Sequence, residues 1–371
     1  MKRISSVVLI LCAGFVSAWA EQPACAHSPL WAEFHKENME RWNQCEKVLN
    51  VHNVGGLQQK WSYATGSEVN SSPAVASGVV YVGSYDDNVY ALNAKTGAKL
   101  WSYATGGPVE SSPAVANGIV YVGYGFYALN AKTGAKLWSY AMSDAASSPT
   151  VADGVVYVGS NDYVVYALNA KTGVLLWSYN IGIFVESSPA VANGMVYVGA
   201  DDNTVYALNA KTGAKVWSYA AGGNIDSSPA VADGVVYVGS ADGNVYALNA
   251  STGGELWSYT TGGYVGSSPA VANGVVYVGS WDHNVYALNA STGAKLWSYA
   301  TGSYVASSPA VANGVVYVGS WDDSVYALNA STGVLLWSYA TGGVVWSSPA
   351  VANGVVYVGS GDGNVYAFGL K

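Results

Sequence analysis

Charge is scarce in this chain. Only 10% of its 371 residues are Asp, Glu, Lys or Arg, against 51% hydrophobic, where an average soluble domain carries roughly 25% charged residues. So apolar a composition excludes intrinsic disorder. The charges present are acidic in balance, 15 Lys plus Arg against 23 Asp plus Glu for a formal charge of -8. No basic cluster exists to hold a phosphate backbone, which argues against a nucleic-acid partner. Histidine occurs four times and cysteine three times, and no histidine stands at a zinc spacing from the cysteines, which argues against a structural zinc site. Long apolar runs are missing as well. The stretch from Val7 to Val16 falls short of the roughly 20 residues a helix needs to span a bilayer, so no membrane insertion is expected. Helical periodicity is also lacking: Gly and Pro punctuate the chain about every 8 to 12 residues, a spacing that suits short strands and excludes a helical solenoid.

The N-terminus reads as an export signal. Lys2 and Arg3 form its charged head, Val7 to Val16 its apolar middle and Ala18-Trp19-Ala20 its small-residue cleavage site, with the cut expected after Ala20. Cys12 does not read as a lipidation site, because Leu11 stands where a small residue would precede a modified cysteine. Removing Lys2 and Arg3 leaves 13 basic against 23 acidic side chains, an acidic secreted or periplasmic protein. Cys25 and Cys45 then remain as a pair in an oxidising compartment. They are expected to form a disulfide closing a loop of about 20 residues, worth roughly 3 kcal/mol. The chain divides into a signal over 1–20, an N-terminal lead-in segment over 21–56 and a repeat region over 57–371.

What the repeat region has in abundance is itself. Trp-Ser-Tyr begins at Trp61, Trp101, Trp138, Trp177, Trp217, Trp257, Trp297 and Trp337, and a Ser-Ser-Pro tripeptide recurs eight times with prolines from Pro73 to Pro349. A period near 40 with four short apolar runs per unit is the signature of a β-propeller blade. In the sixth copy the runs are Ser267 to Ala272, Val275 to Gly279, Val285 to Asn289 and Lys295 to Tyr299. Asn273-Gly274 between the first two predicts a type I′ hairpin, with both residues at positive φ. Val-Val-Tyr-Val-Gly is too apolar for a half-exposed strand and predicts burial on both faces. Proline cannot donate to a β-ladder, so the Ser-Ser-Pro strand is expected at the inner edge, lining a central channel. Trp-Ser-Tyr then forms the outermost strand, its tryptophan wedged between blades. The region opens on an isolated Trp-Ser-Tyr at Trp61 and closes on the third strand of copy eight, so the first strand should complete the last blade. The fold class is all-β: an eight-bladed propeller of four-stranded antiparallel blades, sealed by its N-terminal strand.

Ala-Leu-Asn-Ala-Lys-Thr-Gly-Ala-Lys-Leu-Trp at Ala91 to Trp101, and its later copies, resembles the tryptophan-docking motif of the pyrroloquinoline quinone (PQQ) dehydrogenase propellers. The lead-in, with Trp31, Arg41-Trp42-Asn43 and Asn53-Val54-Gly55-Gly56-Leu57, is similar to that of quinoprotein alcohol dehydrogenases. The resemblance implies the scaffold. Its chemistry is another matter: Asn stands where those enzymes usually have Asp, the copies carry no long insertions, and the adjacent-cysteine pair of many of those enzymes is absent. Non-catalytic relatives, including an outer-membrane assembly lipoprotein, share the blade.

In near-identical units, the positions that vary are free of scaffold demands. The second turns and the blade-to-blade links fall on one face of the disc, and the first and third turns on the other. On the first face, blades 1 to 5 contribute Glu68, Glu110, Asp144, Glu186, Asp201 and Asp226, with Asn70 beside them; blades 6 to 8 contribute Tyr264, Trp281, Tyr304, Trp321 and Trp346. One arc reads as acidic and the other as aromatic. Gathered Trp and Tyr mark contact surfaces, with a protein partner, a polysaccharide or a planar molecule as ligand; the other reading is drift among duplicated blades, with these rings covering their own neighbours. The carboxylates read as solvated rim charges, as a cation site of Glu110, Glu186 and Asp226, or as part of a quinoprotein centre with calcium, PQQ and an Asp base. That last arrangement requires a positive side chain near the quinone, and none of the variable positions supplies one. The leading expectation is a non-catalytic scaffold that binds through one face, with no catalytic residue and no cofactor. Its alternative is a PQQ- and calcium-dependent alcohol dehydrogenase, acting on a polymer in one version, and a third reading is a structural scaffold for envelope proteins.

Overall fold

The computed structural model describes residues 31, 32, 34, 40–143 and 147–371. The expected signal, Cys25 of the expected disulfide, and Asp144 lie outside the described residues. From Gln58 onward the chain forms eight sheets, each of four consecutive antiparallel strands except the last to close. Blade 6 is typical, running from the centre outward through Ala270–Ala272, Val275–Gly279, Asn284–Asn289 and Lys295–Ala300. Blade 8 takes three strands from the end of the chain, Ala350–Ala352, Val355–Gly359 and Asn364–Gly369, and its outermost from the beginning, Gln58–Ala64. Gln58 pairs with Gly369 and Trp61 with Ala367. The ring is therefore closed by a blade that the two ends of the repeat region share.

Each first turn has the predicted geometry. Asn273 and Gly274 lie at φ 50° and 73°, and the Ser77-Gly78, Asp153-Gly154 and Asp233-Gly234 copies match them. The second strands are buried on both faces, as Val236, Tyr237 and Val238 show. The outer tryptophans do lock blade to blade. Trp257 donates its indole N–H to Ala290 O of blade 6 at 2.8 Å, and its ring lies where a Cβ on Gly293 would approach to 2.6 Å. That glycine also sits at φ +71°, so both the turn and the close approach of the ring require it.

Two features were not expected. The second serine of every Ser-Ser-Pro joins a closed hydrogen-bonded ring around the axis: Ser72 N–H donates to Ser112 Oγ, and so on through Ser148, Ser188, Ser228, Ser268, Ser308 and Ser348 back to Ser72, all at 2.9–3.0 Å. The first serine accepts the N–H of the glycine ending its own blade's second strand, as Ser267 Oγ does from Gly279 at 3.0 Å.

The lead-in also fills the channel that the inner strands surround. Trp31 forms an antiparallel bridge with Val75, Val115 donates its N–H to Ala32 O, Val271 to Glu40 O and Val311 to Arg41 O. Trp42–Asn43 pairs in parallel with Val311 and Ala312, adding a fifth strand to blade 7. These bonds satisfy inner-edge N–H groups that an open channel would leave to water. Arg41 is fully buried, donating to Phe34 O, Pro309 O at 2.8 Å, Ser308 O at 3.2 Å and Pro349 O at 3.4 Å. Its guanidinium lies 4.5 Å from the Phe34 ring and 5.5 Å from that of Trp31, and burial draws its pKa down to about 9. Among the described residues, no helix is long and apolar enough to cross a membrane.

Candidate binding face

One repeated hydrogen bond builds this face. The backbone N–H at the tip of a second turn donates to the carbonyl of the link leading into the same blade: Tyr85 to Glu68, Asp201 to Phe184, Ala241 to Asn224, Trp281 to Tyr264, Trp321 to Tyr304 and Gly361 to Val344. Turn and link side chains are thus held side by side in blade after blade. The repeated Asp that follows the tip adds a second tie. Asp282 accepts the Tyr286 hydroxyl at 2.5 Å, Asn284 N–H at 3.0 Å and, from the incoming link, Gly262 N–H at 2.6 Å. Burial alone would raise its pKa, but these hydrogen bonds outweigh burial and hold it below the usual carboxylate range. Asp86, Asp242 and Asp362 are held down in the same way. These aspartates belong to the scaffold and remain ionised.

On that frame the five predicted aromatics form one continuous cluster. Tyr264 meets Trp281 edge to face, centroids 4.6 Å apart, and Trp281 stacks on Tyr304 at 5.1 Å and 22°. Trp321 lies 5.4 Å from Trp281, 5.2 Å from Tyr304 and 4.1 Å from Trp346. His283, which the sequence reading passed over, caps Tyr304 edge-on at 5.1 Å. Tyr304 and Trp346 are exposed at 36% and 38%, high for rings so surrounded, while Trp281 and Trp321 are half-buried. The indole N–H groups of both half-buried tryptophans are themselves buried without a hydrogen-bond partner.

The acidic arc is also drawn together. Burial and the neighbouring charges of Asp226 and Glu110 raise the pKa of Glu186. Burial, then the charges of Asp226 and Glu186, push Asp201 up to about 7. Burial, then Glu110, push the Tyr85 hydroxyl up to about 12, and the Asn70 side-chain nitrogen lies 3.5 Å from Glu68. Among the described residues, no group of three or more His, Cys, Asp or Glu side chains has the arrangement to hold a metal ion.

Tyr264 joins the two arcs. Its hydroxyl donates to Asp226 Oδ2 while its ring meets Trp281. Gly266 makes this possible, for a Cβ there would lie 2.7 Å from the Tyr264 ring; the other blades carry a side chain at this position. The separation of arcs is also less clean than the sequence suggests. Tyr163 and Phe184, each 40% exposed, meet edge to face at 5.1 Å within the acidic half.

Known proteins place this architecture. The family described as beta-alanine-activating enzyme, beta-propeller matches residues 185–371, and that described as outer membrane protein assembly factor BamB matches residues 46–152 and 127–228. Among curated proteins none matches in sequence. Among solved structures, BamB from Moraxella catarrhalis superposes with a TM-score of 0.74 at 22% identity, covering 85% of this chain and 100% of that one. The quinohemoprotein alcohol dehydrogenase from Comamonas testosteroni gives 0.79 at 19%, covering 93% and 81%, and a europium-containing methanol dehydrogenase 0.79 at 17%, covering 92% and 98%. At these identities the structures share the fold. The chain therefore belongs to the β-propeller family of the beta-alanine-activating enzyme type, within the wider group of PQQ-like propellers.

Proposed function

We propose that the protein is an extracytoplasmic, non-catalytic scaffold that docks its ligand on the link and second-turn face. The observation that carries this reading is the continuous cluster of Tyr264, Trp281, Tyr304, Trp321 and Trp346, built on positions that differ from blade to blade while the rest of each unit repeats. Exposed, contiguous aromatic area of this kind is what binding surfaces use as anchors. The expected export signal and the match to a family named for outer-membrane assembly support the location.

The dehydrogenase neighbours make a PQQ- and calcium-dependent enzyme the reading to exclude. The donor set does not fit that cofactor. No Lys or Arg stands in any link or second turn, and the buried Arg41 directs its N–H groups to backbone carbonyls. The test is direct: mature protein is incubated with PQQ and calcium, and the quinone spectrum, melting temperature and alcohol-dependent dye reduction are followed. The scaffold reading expects no change in any of the three. Tight, calcium-dependent uptake with turnover would replace it with the enzyme.

A further inference from the structure

The two faces of the disc differ in charge. Of the seventeen described carboxylates from residue 57 onward, fourteen lie in the links and second turns, and no Lys or Arg accompanies them. The ten lysines from residue 57 onward lie at the opposite ends of the strands, in or beside the third turns, as Lys95, Lys132, Lys215 and Lys295 do. The aromatic cluster therefore sits in a strongly negative field, and Tyr264 brings Asp226 into contact with it.

From this juxtaposition we infer that the face docks an arginine-bearing polypeptide segment, an inference that rests on the docking reading above and names its ligand. Guanidinium is the cation suited to both arcs: planar and weakly hydrated, it stacks on exposed rings such as Tyr304 and Trp346 and bonds a carboxylate in a bidentate fork, whereas the compact ammonium of lysine does neither as well. A polypeptide is favoured over a polyamine because its arginines carry guanidinium, whereas the charges of a polyamine are ammonium groups. Charge complementarity of this kind also steers encounter, which suits a face of one sign.

The test uses the mature full-length protein and fluorescein-labelled nona-arginine, nona-lysine and an uncharged Gly-Ser nonapeptide, with anisotropy titrations at 0.15 M salt. Nona-arginine is expected to bind at least about tenfold more tightly than nona-lysine, the equivalent of a single cation–π contact, and the Gly-Ser peptide not at all. Trp346→Ala and Tyr304→Ala, at exposed positions that leave the fold intact, should each weaken nona-arginine about tenfold, and Glu186→Gln should weaken both cationic peptides together. Equal affinity for the two cationic peptides, unaffected by either aromatic variant, would reduce the effect to bulk charge and overturn the inference. Absence of nona-arginine binding would overturn it as well. If the same protein then binds neutral cello- or chito-oligosaccharides in a manner lost in Trp346→Ala, the docking face stands and only its assigned ligand falls.

Discussion

Two sets of tryptophans occupy this molecule and do opposite things. Those of Trp-Ser-Tyr repeat at every blade, are buried or nearly so, and each gives its indole N–H to a carbonyl of the next segment around the ring, as Trp217 does to Ala250 O at 2.9 Å. Trp281, Trp321 and Trp346 occur on three consecutive blades only, stand at positions the repeat leaves open, touch one another, and make no such bond. The difference teaches how a sequence made of near-copies can carry a specific task. What every blade shares holds the ring together, and what few blades share is, on the function proposed above, where the molecule meets something else.

The sharpest way to break this comparison is to delete a ring from each set. Trp217→Ala should cost about 3–5 kcal/mol in urea unfolding, since it empties a buried inter-blade contact around Gly253. Trp346→Ala, 38% exposed, should cost under about 1 kcal/mol. Equal losses would mean that the variable tryptophans are structural.

Next in size is the serine ring. Ser228→Ala leaves the buried Ser188 N–H without its acceptor and should cost about 1–3 kcal/mol, while a serine outside the ring, such as the exposed Ser251, should tolerate alanine. A gain is expected at Tyr163, where a bulky side chain is held at φ 76° in a turn position that two other blades fill with Gly243 and Gly363. Tyr163→Gly should raise stability by about 1 kcal/mol. It should also leave nona-arginine affinity unchanged, because Tyr163 and Phe184 stand apart from the five-ring cluster.

A further effect concerns protons. Asp201 binds its proton more tightly folded, with a pKa of about 7, than at its ordinary value of 3.8. The unfolded chain therefore releases that proton first, and the group withdraws stability as pH climbs from about 4 to about 7. Asp201→Asn should melt above wild type at pH 8, with the difference shrinking to nothing near pH 4. A difference independent of pH would show that burial and Asp226 do not act on this carboxyl.

The architecture was legible because repetition multiplies weak signals. One turn glycine or one edge proline suggests little, but eight of each in register give strand order, turn type and closure, down to the pairing of Gln58–Ala64 with Asn364–Gly369. The serine ring escaped notice for the opposite reason: a Ser-Ser pair has no hydrophobic period to betray it, and its partner lies a whole blade away. The channel plug was hidden because the lead-in does not repeat, so nothing in Arg41-Trp42-Asn43 announced a guanidinium buried among proline carbonyls. On the candidate face the variable positions singled out five rings that the structure brings into contact, and carboxylates of which Glu110, Glu186, Asp201 and Asp226 act on one another. Tyr163 and His283 were overlooked because attention fell on the tips of the second turns, and these two stand two residues further on, at the left-handed position of the same turns. The Tyr264 bridge depended on Gly266, a residue whose role is the room it leaves.

Hydroxyl-radical footprinting read residue by residue, with and without nona-arginine, probes the division between shared and unshared rings most directly. In free protein, Tyr304 and Trp346 should oxidise far faster than Trp217 and Trp257, and peptide should protect the first pair while leaving the second unchanged. Protection spread evenly over both sets, or confined to the lysine-bearing face, would contradict the assignment of this molecule's work to its unrepeated rim.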